Sequence, residues 1–232
     1  IGFYTLSDDR AKAASTDSPL SRCELILTSR CNFRCPYCRS VGGNDMPMQQ
    51  AFGTVNMWAD DGLQNIRFSG GEPTLYDGIN QLVILAQNRG IKRIALSTNG
   101  SASLDKYKSL LDDGVNDFSV SLDACCAEDG DKMAGGRKGA FDTVVKNIEW
   151  LAKATYVTVG VVLTEKNMKR TEDIIYFAAD LGVSDIRVIP AAQEGERLPA
   201  ITVSPALLQK YPILAYRNNN LRSGKPVRGN PI

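Results

Sequence analysis

The 232-residue sequence contains no histidine. This absence excludes catalysis by a Ser-His-Asp triad or a Cys-His pair, and zinc sites built on imidazole. The sequence also has no apolar run long enough for a transmembrane helix. Its net charge of +1 gives no overall preference for nucleic acid or an anionic membrane. Any chemistry must therefore depend on cysteine, carboxylate, hydroxyl, lysine or tyrosine groups, or on a cofactor.

The N-terminal segment lacks the long apolar core of a signal peptide and carries Asp8, Asp9 and Arg10. We therefore expect a cytoplasmic protein without membrane association. In a reducing compartment, the six cysteines favour metal binding or redox chemistry over a disulfide framework.

Short β-branched runs alternate with amphipathic segments along the chain. This pattern predicts six strands, at 23–28, 66–70, 91–98, 115–123, 155–164 and 184–190, and five helices, at 48–62, 78–90, 103–114, 140–153 and 170–182. The alternation is typical of an α/β fold with right-handed βαβ units, either doubly wound or closed partway into a barrel. We expect an N-terminal extension over residues 1–22, a core over 23–190 and an irregular, proline-containing C-terminal tail over 191–232 that covers the core.

Four distinctive motifs follow four consecutive predicted strands. The cysteine motif "CNFRCPYC" follows the first strand, "SGGEP" the second, "STNG" the third and "SLDACC" the fourth. In parallel α/β folds, the loops at the carboxyl ends of the strands carry the functional residues. We therefore expect these four loops to share one site. Asn99-Gly100 on its own is interpreted as an ordinary turn pair.

Cys31, Cys35 and Cys38 have the spacing C-x3-C-x2-C. Three thiolates fit a [4Fe–4S] cluster with one iron left open to a small ligand. They also fit a zinc site if one of the remaining cysteines supplies a fourth thiolate: Cys23, Cys125 or Cys126. Spacing alone leaves both alternatives open.

The cysteine motif, followed by "FSGGEPTLY", "LSTNG" and "VSLD", resembles the radical S-adenosylmethionine (radical SAM) superfamily over roughly residues 23–190. The core is similar to the GTP cyclase-like group of molybdenum-cofactor biosynthesis. The resemblance implies a partial (β/α)6 TIM-like barrel and a [4Fe–4S] cluster held by Cys31, Cys35 and Cys38. It also implies that SAM binds the fourth iron and is reductively cleaved to methionine and a 5′-deoxyadenosyl radical, which abstracts hydrogen from a substrate. An electron donor such as a flavodoxin or ferredoxin is implied as a partner.

The same resemblance implies which residues contact SAM. The GGEP loop would hold its amino group, the aromatic residue before the last cysteine would contact its adenine, and hydroxyls after the third and fourth strands would bind its ribose or carboxylate. The glycines suit close approach of the backbone to a ligand. Asp123 has a second interpretation as a cap or turn residue. The candidate cofactor-binding residues are Tyr37, Gly70, Gly71, Glu72, Thr98, Ser121 and Asp123. Thr164 and Asn167, after the fifth strand, are further candidates for the same pocket.

Cys125 and Cys126 lie side by side in a glycine-rich loop after the fourth strand. They are either two small residues packed under the loop, or catalytic residues that donate a hydrogen atom or contact substrate, or ligands of a second metal centre. The nearby basic residues are either solvated or bind a phosphate-bearing substrate: Lys132, Arg137 and Lys138.

The substrate stays open between a nucleotide or nucleic-acid base, a peptide and a small metabolite. The alternative function is a zinc- or iron–sulfur-binding regulatory or electron-transfer module without catalysis. Binding of SAM separates the two functions, because electron-transfer clusters use four thiolates and leave no iron open.

Overall fold

A computed structural model describes residues 21–38, 43–191 and 203–222. Its six strands form one parallel sheet in the order β1-β2-β3-β4-β5-β6, with β1 and β6 at opposite edges. The predicted α/β fold, an unclosed (β/α)6 TIM-like barrel, is therefore confirmed. The strands are β1 Arg22–Thr28, β2 Asn65–Gly70, β3 Arg93–Thr98, β4 Asp117–Ser121, β5 Tyr156–Leu163 and β6 Asp185–Pro190.

Five helices match the predicted ones to within a few residues: α1 Met48–Asp60, α2 Ile79–Asn88, α3 Leu104–Asp112, α5 Ala140–Ala154 and α6 Thr171–Asp180. The strands and helices alternate because short segments buried at most positions are followed by segments whose apolar residues recur at the 3.6-residue spacing of a helix. Within the described residues, no helix has the length and apolar character needed to cross a membrane.

One further helix, α4 Ala127–Met133, forms inside the segment that we expected to be a glycine-rich loop. Its charges suit a short helix, because Glu128 and Asp129 occupy the first turn and Lys132 the last. The prediction of a loop was therefore wrong over these seven residues.

The expectation of an irregular C-terminal tail was wrong for residues 205–222. They form α7 Pro205–Lys210 and α8 Pro212–Arg222. Both helices begin with proline, which suits the first helical position because that backbone nitrogen needs no partner. Helix α8 packs against β6. The predicted extension over residues 1–20 and the tail residues 192–202 and 223–232 lie outside the described residues.

The cysteine loop leaves the end of β1 and returns to the same strand. Thr28 and Asp45 form an antiparallel bridge, and the backbone nitrogen of Met46 donates to the carbonyl of Leu27 at 2.7 Å. Asp45 also accepts from the Thr28 hydroxyl at 2.5 Å and pairs with Arg30. The two ends of the loop are therefore held together beside the edge of the sheet.

Candidate functional site

The loops after β1, β2, β3 and β4 border one cavity of about 200 Å³. Its polar wall contains most of the residues predicted from the sequence, and its other wall is apolar, formed by Phe33, Met133, Ala134, Phe141 and Val144. The predicted residues that line it are Cys31, Cys35, Tyr37, Cys38, Gly70, Gly71, Thr98, Ser121 and Asp123.

The three motif cysteines lie on this cavity as free thiols, with Cys31 and Cys35 half-buried and Cys38 exposed. Burial raises the pKa of Cys31, opposed by a hydrogen bond to its sulfur from the Phe33 nitrogen at 3.4 Å. Burial, reinforced by the charge of Asp123, raises the pKa of Cys35 to about 11. Without a metal centre, these two thiols are therefore protonated at neutral pH, and a metal must displace their protons in order to bind.

The donor set fits an iron–sulfur cluster. In such a cluster, each thiolate binds a separate iron, so the sulfurs need to face one cavity without converging on one point. Among residues 21–38, 43–191 and 203–222, no three cysteine, aspartate or glutamate side chains are grouped closely enough to hold a single metal ion. The remaining cysteines, Cys23, Cys125 and Cys126, do not line this cavity.

Gly70 and Gly71 line the cavity, but contacts with the backbone at and just after the end of β1 already require glycine at both positions. A Cβ on Gly70 would lie 2.2 Å from the Thr28 carbonyl oxygen, and one on Gly71 would lie 2.3 Å from that of Arg30. Gly70 also has φ +145°, which disfavours other residues. We expected close approach to a ligand. The structure shows close approach of the GGEP loop to the end of β1. The approach of these two cavity-lining glycines to a ligand stays a prediction.

Glu72 lies behind the cavity wall, without exposed surface, and does not line the cavity. One carboxylate oxygen accepts from the Thr74 nitrogen at 3.1 Å, the Thr74 hydroxyl at 2.7 Å and the Thr98 hydroxyl at 2.8 Å. The other accepts from the Asn99 nitrogen at 2.7 Å. Burial raises the pKa of Glu72, and these hydrogen bonds oppose the shift. The carboxylate therefore joins the loops after β2 and β3, and its expected contact with the amino group of SAM stays a prediction.

The two predicted hydroxyls differ in availability. Thr98 is buried, and its oxygen is already bonded to Glu72, to the Tyr107 hydroxyl at 2.9 Å and to the Gly100 nitrogen at 3.1 Å. Ser121 is exposed at the end of β4, and its hydroxyl makes no hydrogen bond to the described residues. Ser121 is therefore the hydroxyl that is free to bind a ligand in the cavity.

Tyr37 and Asp123 join the cysteine loop to the ends of β4 and β5. The Tyr37 hydroxyl donates to one carboxylate oxygen of Asp123, and the Val162 nitrogen donates to the other at 2.6 Å. Burial raises the pKa of Asp123 to about 6. Burial, followed by the charge of Asp123, raises the pKa of Tyr37. Tyr37 is thus held in one orientation at the cavity wall.

Thr164 and Asn167 do not line the cavity, contrary to expectation. Asn167 accepts from the Thr164 nitrogen at 2.7 Å and donates to the carbonyls of Asp123, at 3.0 Å, and Val162, at 2.9 Å. These two buried residues brace the loop after β5 against the loop after β4.

Cys125 and Cys126 contact Arg170 outside the main cavity. Arg170 donates to the Cys125 sulfur at 3.0 Å and to the Cys126 sulfur at 3.5 Å, and it pairs with Asp129 at 2.5 Å. Burial raises the pKa of Cys125, opposed by the charge of Arg170. Cys125 lines a second cavity of about 80 Å³, which shares three residues with the first: Asp123, Ala124 and Met133.

The segment from α4 to α5 closes over the cysteine loop. The Arg34 nitrogen donates to the Ala134 carbonyl at 3.3 Å, and Arg137 donates to the Asn32 carbonyl at 3.4 Å. Gly135 has φ +82°, and a Cβ there would lie 2.6 Å from the Cβ of Arg34. Of the basic residues singled out from the sequence, Lys132 pairs with Glu128 at 2.7 Å on the exposed surface.

Asn99 is the residue that sequence reasoning missed. It lines the cavity, and its side-chain nitrogen lies 3.7 Å from the Cys31 sulfur and 2.8 Å from the Asn32 side-chain oxygen. Its position after β3, in one of the four loops expected to share a site, was the available signal. Asn99 was not identified because the Asn99-Gly100 pair was interpreted as an ordinary turn.

Comparison with known proteins identifies the family. The sequence profile of the radical SAM superfamily matches residues 25–178. A GTP 3′,8-cyclase of Clostridium perfringens is 31% identical over 218 residues, which cover 89% of this chain and 65% of that protein. The molybdenum cofactor biosynthesis protein moc-5 of Caenorhabditis elegans is 32% identical over 176 residues, 71% of this chain and 29% of that protein. The chain thus spans less than two-thirds of the length of these relatives.

Solved structures share the fold. Streptococcus suis SuiB bound to S-adenosylmethionine superimposes with a TM-score of 0.66 at 17% identity, over 89% of this chain and 48% of that chain. Native anSMEcpe with bound AdoMet and the Kp18Cys peptide gives a TM-score of 0.65 at 18% identity, over 89% of this chain and 62% of that chain. At these identities the likeness concerns the fold alone.

Proposed function

Because the chain belongs to the radical SAM superfamily, an enzyme class that uses a [4Fe–4S] cluster and SAM, we propose that it catalyses hydrogen abstraction from an organic substrate. The bound cluster and SAM would supply the 5′-deoxyadenosyl radical. The observation that carries the proposal is that Cys31, Cys35 and Cys38 line one cavity from which the other three cysteines are absent. This arrangement does not favour zinc with a fourth thiolate, nor an electron-transfer module.

In this proposal, the residues of the chain bind and orient the cofactors. The three thiolates hold three irons. Ser121, whose hydroxyl is exposed on the cavity wall, binds a polar group of SAM. The ring of Tyr37, anchored through Asp123, contacts the adenine. Glu72 and Thr98 act as positioning residues for the loops that carry these contacts.

The apolar wall would exclude water from the reacting atoms. Phe33, Phe141 and Val144 are buried and line the cavity, Phe33 from within the cysteine loop. Exclusion of water protects a reactive radical from side reactions, and this is the part of the chemistry that the protein contributes.

Three substrate classes stay open, and we propose to test nucleotides first. Relatives named GTP 3′,8-cyclase support this choice, one of them 31% identical over 89% of the chain. The local charge adds less support, because Lys132 and Arg170 are paired with Glu128 and Asp129. Among the described residues, Arg137 and Lys138 are in no ion pair, and the Arg137 side chain donates only to the Asn32 carbonyl. A peptide and a small metabolite stay as alternatives.

Three further expectations stay predictions. They are a flavodoxin or ferredoxin as electron donor, a cytoplasmic location, and a hydrogen-donating or substrate-contacting role for Cys125 and Cys126.

Anaerobic reconstitution with iron and sulfide tests the proposed function. The wild-type protein should bind one reducible cluster, and C31A, C35A and C38A should each lose it, because three thiolates leave no spare ligand. C23A is the matched control, since Cys23 lies in β1 away from the cavity. After reduction and addition of SAM, chromatography should detect 5′-deoxyadenosine. Stoichiometric zinc without iron, or a reduced cluster that leaves SAM uncleaved, would contradict the proposal.

A further inference from the structure

Asn99 places a side-chain amide against one of the three cysteines. It follows β3 and lines the cavity, half-buried. Its side-chain nitrogen lies 3.7 Å from the Cys31 sulfur, within hydrogen-bonding range of sulfur, and 2.8 Å from the side-chain oxygen of Asn32.

The hydrogen-bond network fixes which end of the Asn99 amide faces the cysteine. The Ser101 backbone nitrogen donates to Oδ1 of Asn99 at 3.0 Å, so this terminal atom is the oxygen and the other is the NH2 group. The NH2 group has two hydrogens and two acceptors, Asn32 Oδ1 and Cys31 Sγ. A reversed amide would place its oxygen against the sulfur and its nitrogen against the Ser101 N–H.

The backbone of Asn99 is held equally firmly. Its nitrogen donates to the buried carboxylate of Glu72 at 2.7 Å, and the Asn32 side chain in turn donates to the Ser101 hydroxyl at 2.8 Å. Asn99, Asn32 and Ser101 therefore form a closed ring of hydrogen bonds anchored on Glu72. The donor is fixed before any cluster binds, so its contact with the sulfur costs no reorganisation.

We propose that Asn99 is a positioning residue for Cys31 and that its N–H···S hydrogen bond raises the reduction potential of the cluster. The inference rests on the proposed function, because Cys31 must be an iron ligand. Reduction adds negative charge to the cluster and its sulfurs, and a donor to a ligand sulfur stabilises the more negative state. The Phe33 backbone nitrogen also donates to this sulfur, so removal of the Asn99 amide removes one of two donors.

Substitution of Asn99 tests the inference. N99A removes the donor without adding charge. N99D keeps an oxygen for the Ser101 N–H but replaces the donor with a carboxylate. We expect a redox titration followed by electron paramagnetic resonance to show a lower midpoint potential in N99A, by about 59 mV, which corresponds to a tenfold weaker uptake of the electron. N99D should be lower still.

The matched control is N80A, which removes an amide that contacts Ser109 and Asp113 between α2 and α3 and does not line the cavity. Its potential should equal that of the wild type. An unchanged potential in N99A with an intact cluster would overturn the inference, as would a decrease seen only in N99D, which would reflect charge alone.

A second measurement does not depend on folding of the variants. Wild-type protein labelled with ¹⁵N only in asparagine side-chain amides should show a ¹⁵N hyperfine coupling to the reduced cluster. A reduced cluster without this coupling would overturn the role of Asn99 while leaving the proposed function intact. Wild-type protein without any cluster would instead refute the proposed function itself.

Discussion

Glu72 illustrates how the position of a residue can be predicted while its contacts cannot. The GGEP motif indicates that the residue lies beside the cysteines, and it does. Its carboxylate nevertheless faces donors from Thr74, Thr98 and Asn99. Two of these donors belong to another loop, and no local pattern encodes which atoms meet across two loops.

E72Q should destabilise the fold. A glutamine amide places an NH2 group where the carboxylate accepts hydrogen bonds, so at least one buried donor loses its acceptor. Such a loss costs about 2 kcal/mol. Urea unfolding of the cluster-free protein should show this decrease in the free energy of unfolding.

The control for E72Q is E149Q, which makes the same change at an exposed position of α5. Its stability should stay close to that of the wild type. Equal stability of E72Q and E149Q would refute the assignment of Glu72 as the link between the two loops.

At the scale of elements, the strands were predicted more accurately than α4. Each strand is a short segment with apolar residues, at least one of them β-branched, and in a parallel sheet such segments are buried on both faces. Helix α4 was missed because Gly130 lies in its middle, where glycine disfavours a helix. The structure gives a tertiary reason for this glycine, since a Cβ would lie 2.3 Å from the ring of Phe141. Packing between α4 and α5 therefore overrides the local preference.

The contact between the α4–α5 segment and the cysteine loop predicts different effects for two neighbouring glycines. G135A and G136A both force alanine into a left-handed conformation, which costs about 1–2 kcal/mol. Only G135A also places a Cβ within 3 Å of the Arg34 backbone and side chain. We expect G135A to weaken SAM binding about tenfold further than G136A, as measured by isothermal titration of the cluster-loaded protein.

G136A serves as the control for backbone strain, because a Cβ there meets no atom within 4 Å. Equal SAM affinity in the two variants would show that the segment does not hold the cysteine loop in its binding conformation.

At the scale of the whole molecule, α8 covers the β6 edge of the open sheet. Asp185, at the start of β6, accepts from its neighbour Ile186 at 2.8 Å and from Ile213 of α8 at 3.3 Å. Tyr211 and Leu214 are fully buried beside it. Helix α8 was not predicted from the sequence, because the prolines around it were interpreted as signs of an irregular tail.

Burial raises the pKa of Asp185 from its ordinary value of 3.8 to about 6, opposed by these backbone hydrogen bonds. The folded protein therefore holds this proton more tightly than the unfolded chain. Between about pH 4 and pH 6, the contribution of Asp185 to stability falls as the pH rises. The fall is roughly 1.4 kcal/mol for each unit of pKa difference.

D185N should remove this pH dependence, because asparagine stays neutral and keeps one oxygen as an acceptor. Denaturant unfolding at several pH values should show the wild type losing stability relative to D185N as the pH rises through this range. Burial raises the pKa of Asp123 into the same range, but Asp123 is present in both proteins. Its pH dependence therefore does not contribute to the difference in stability between them. D105N, at an exposed position of α3, should follow the wild type. A difference between wild type and D185N that does not vary with pH would contradict the prediction.

The loop that carries the three cysteines is joined at its ends by the bridge between Thr28 and Asp45. An open chain must lose conformational entropy when its thiolates gather around one centre, and this loss grows with the length of chain that is free to move. In the folded protein this bridge already closes the loop. Part of the entropic penalty of cluster assembly is thereby transferred to the folding reaction, so the free energy of unfolding and the affinity for iron should vary together when this bridge is weakened.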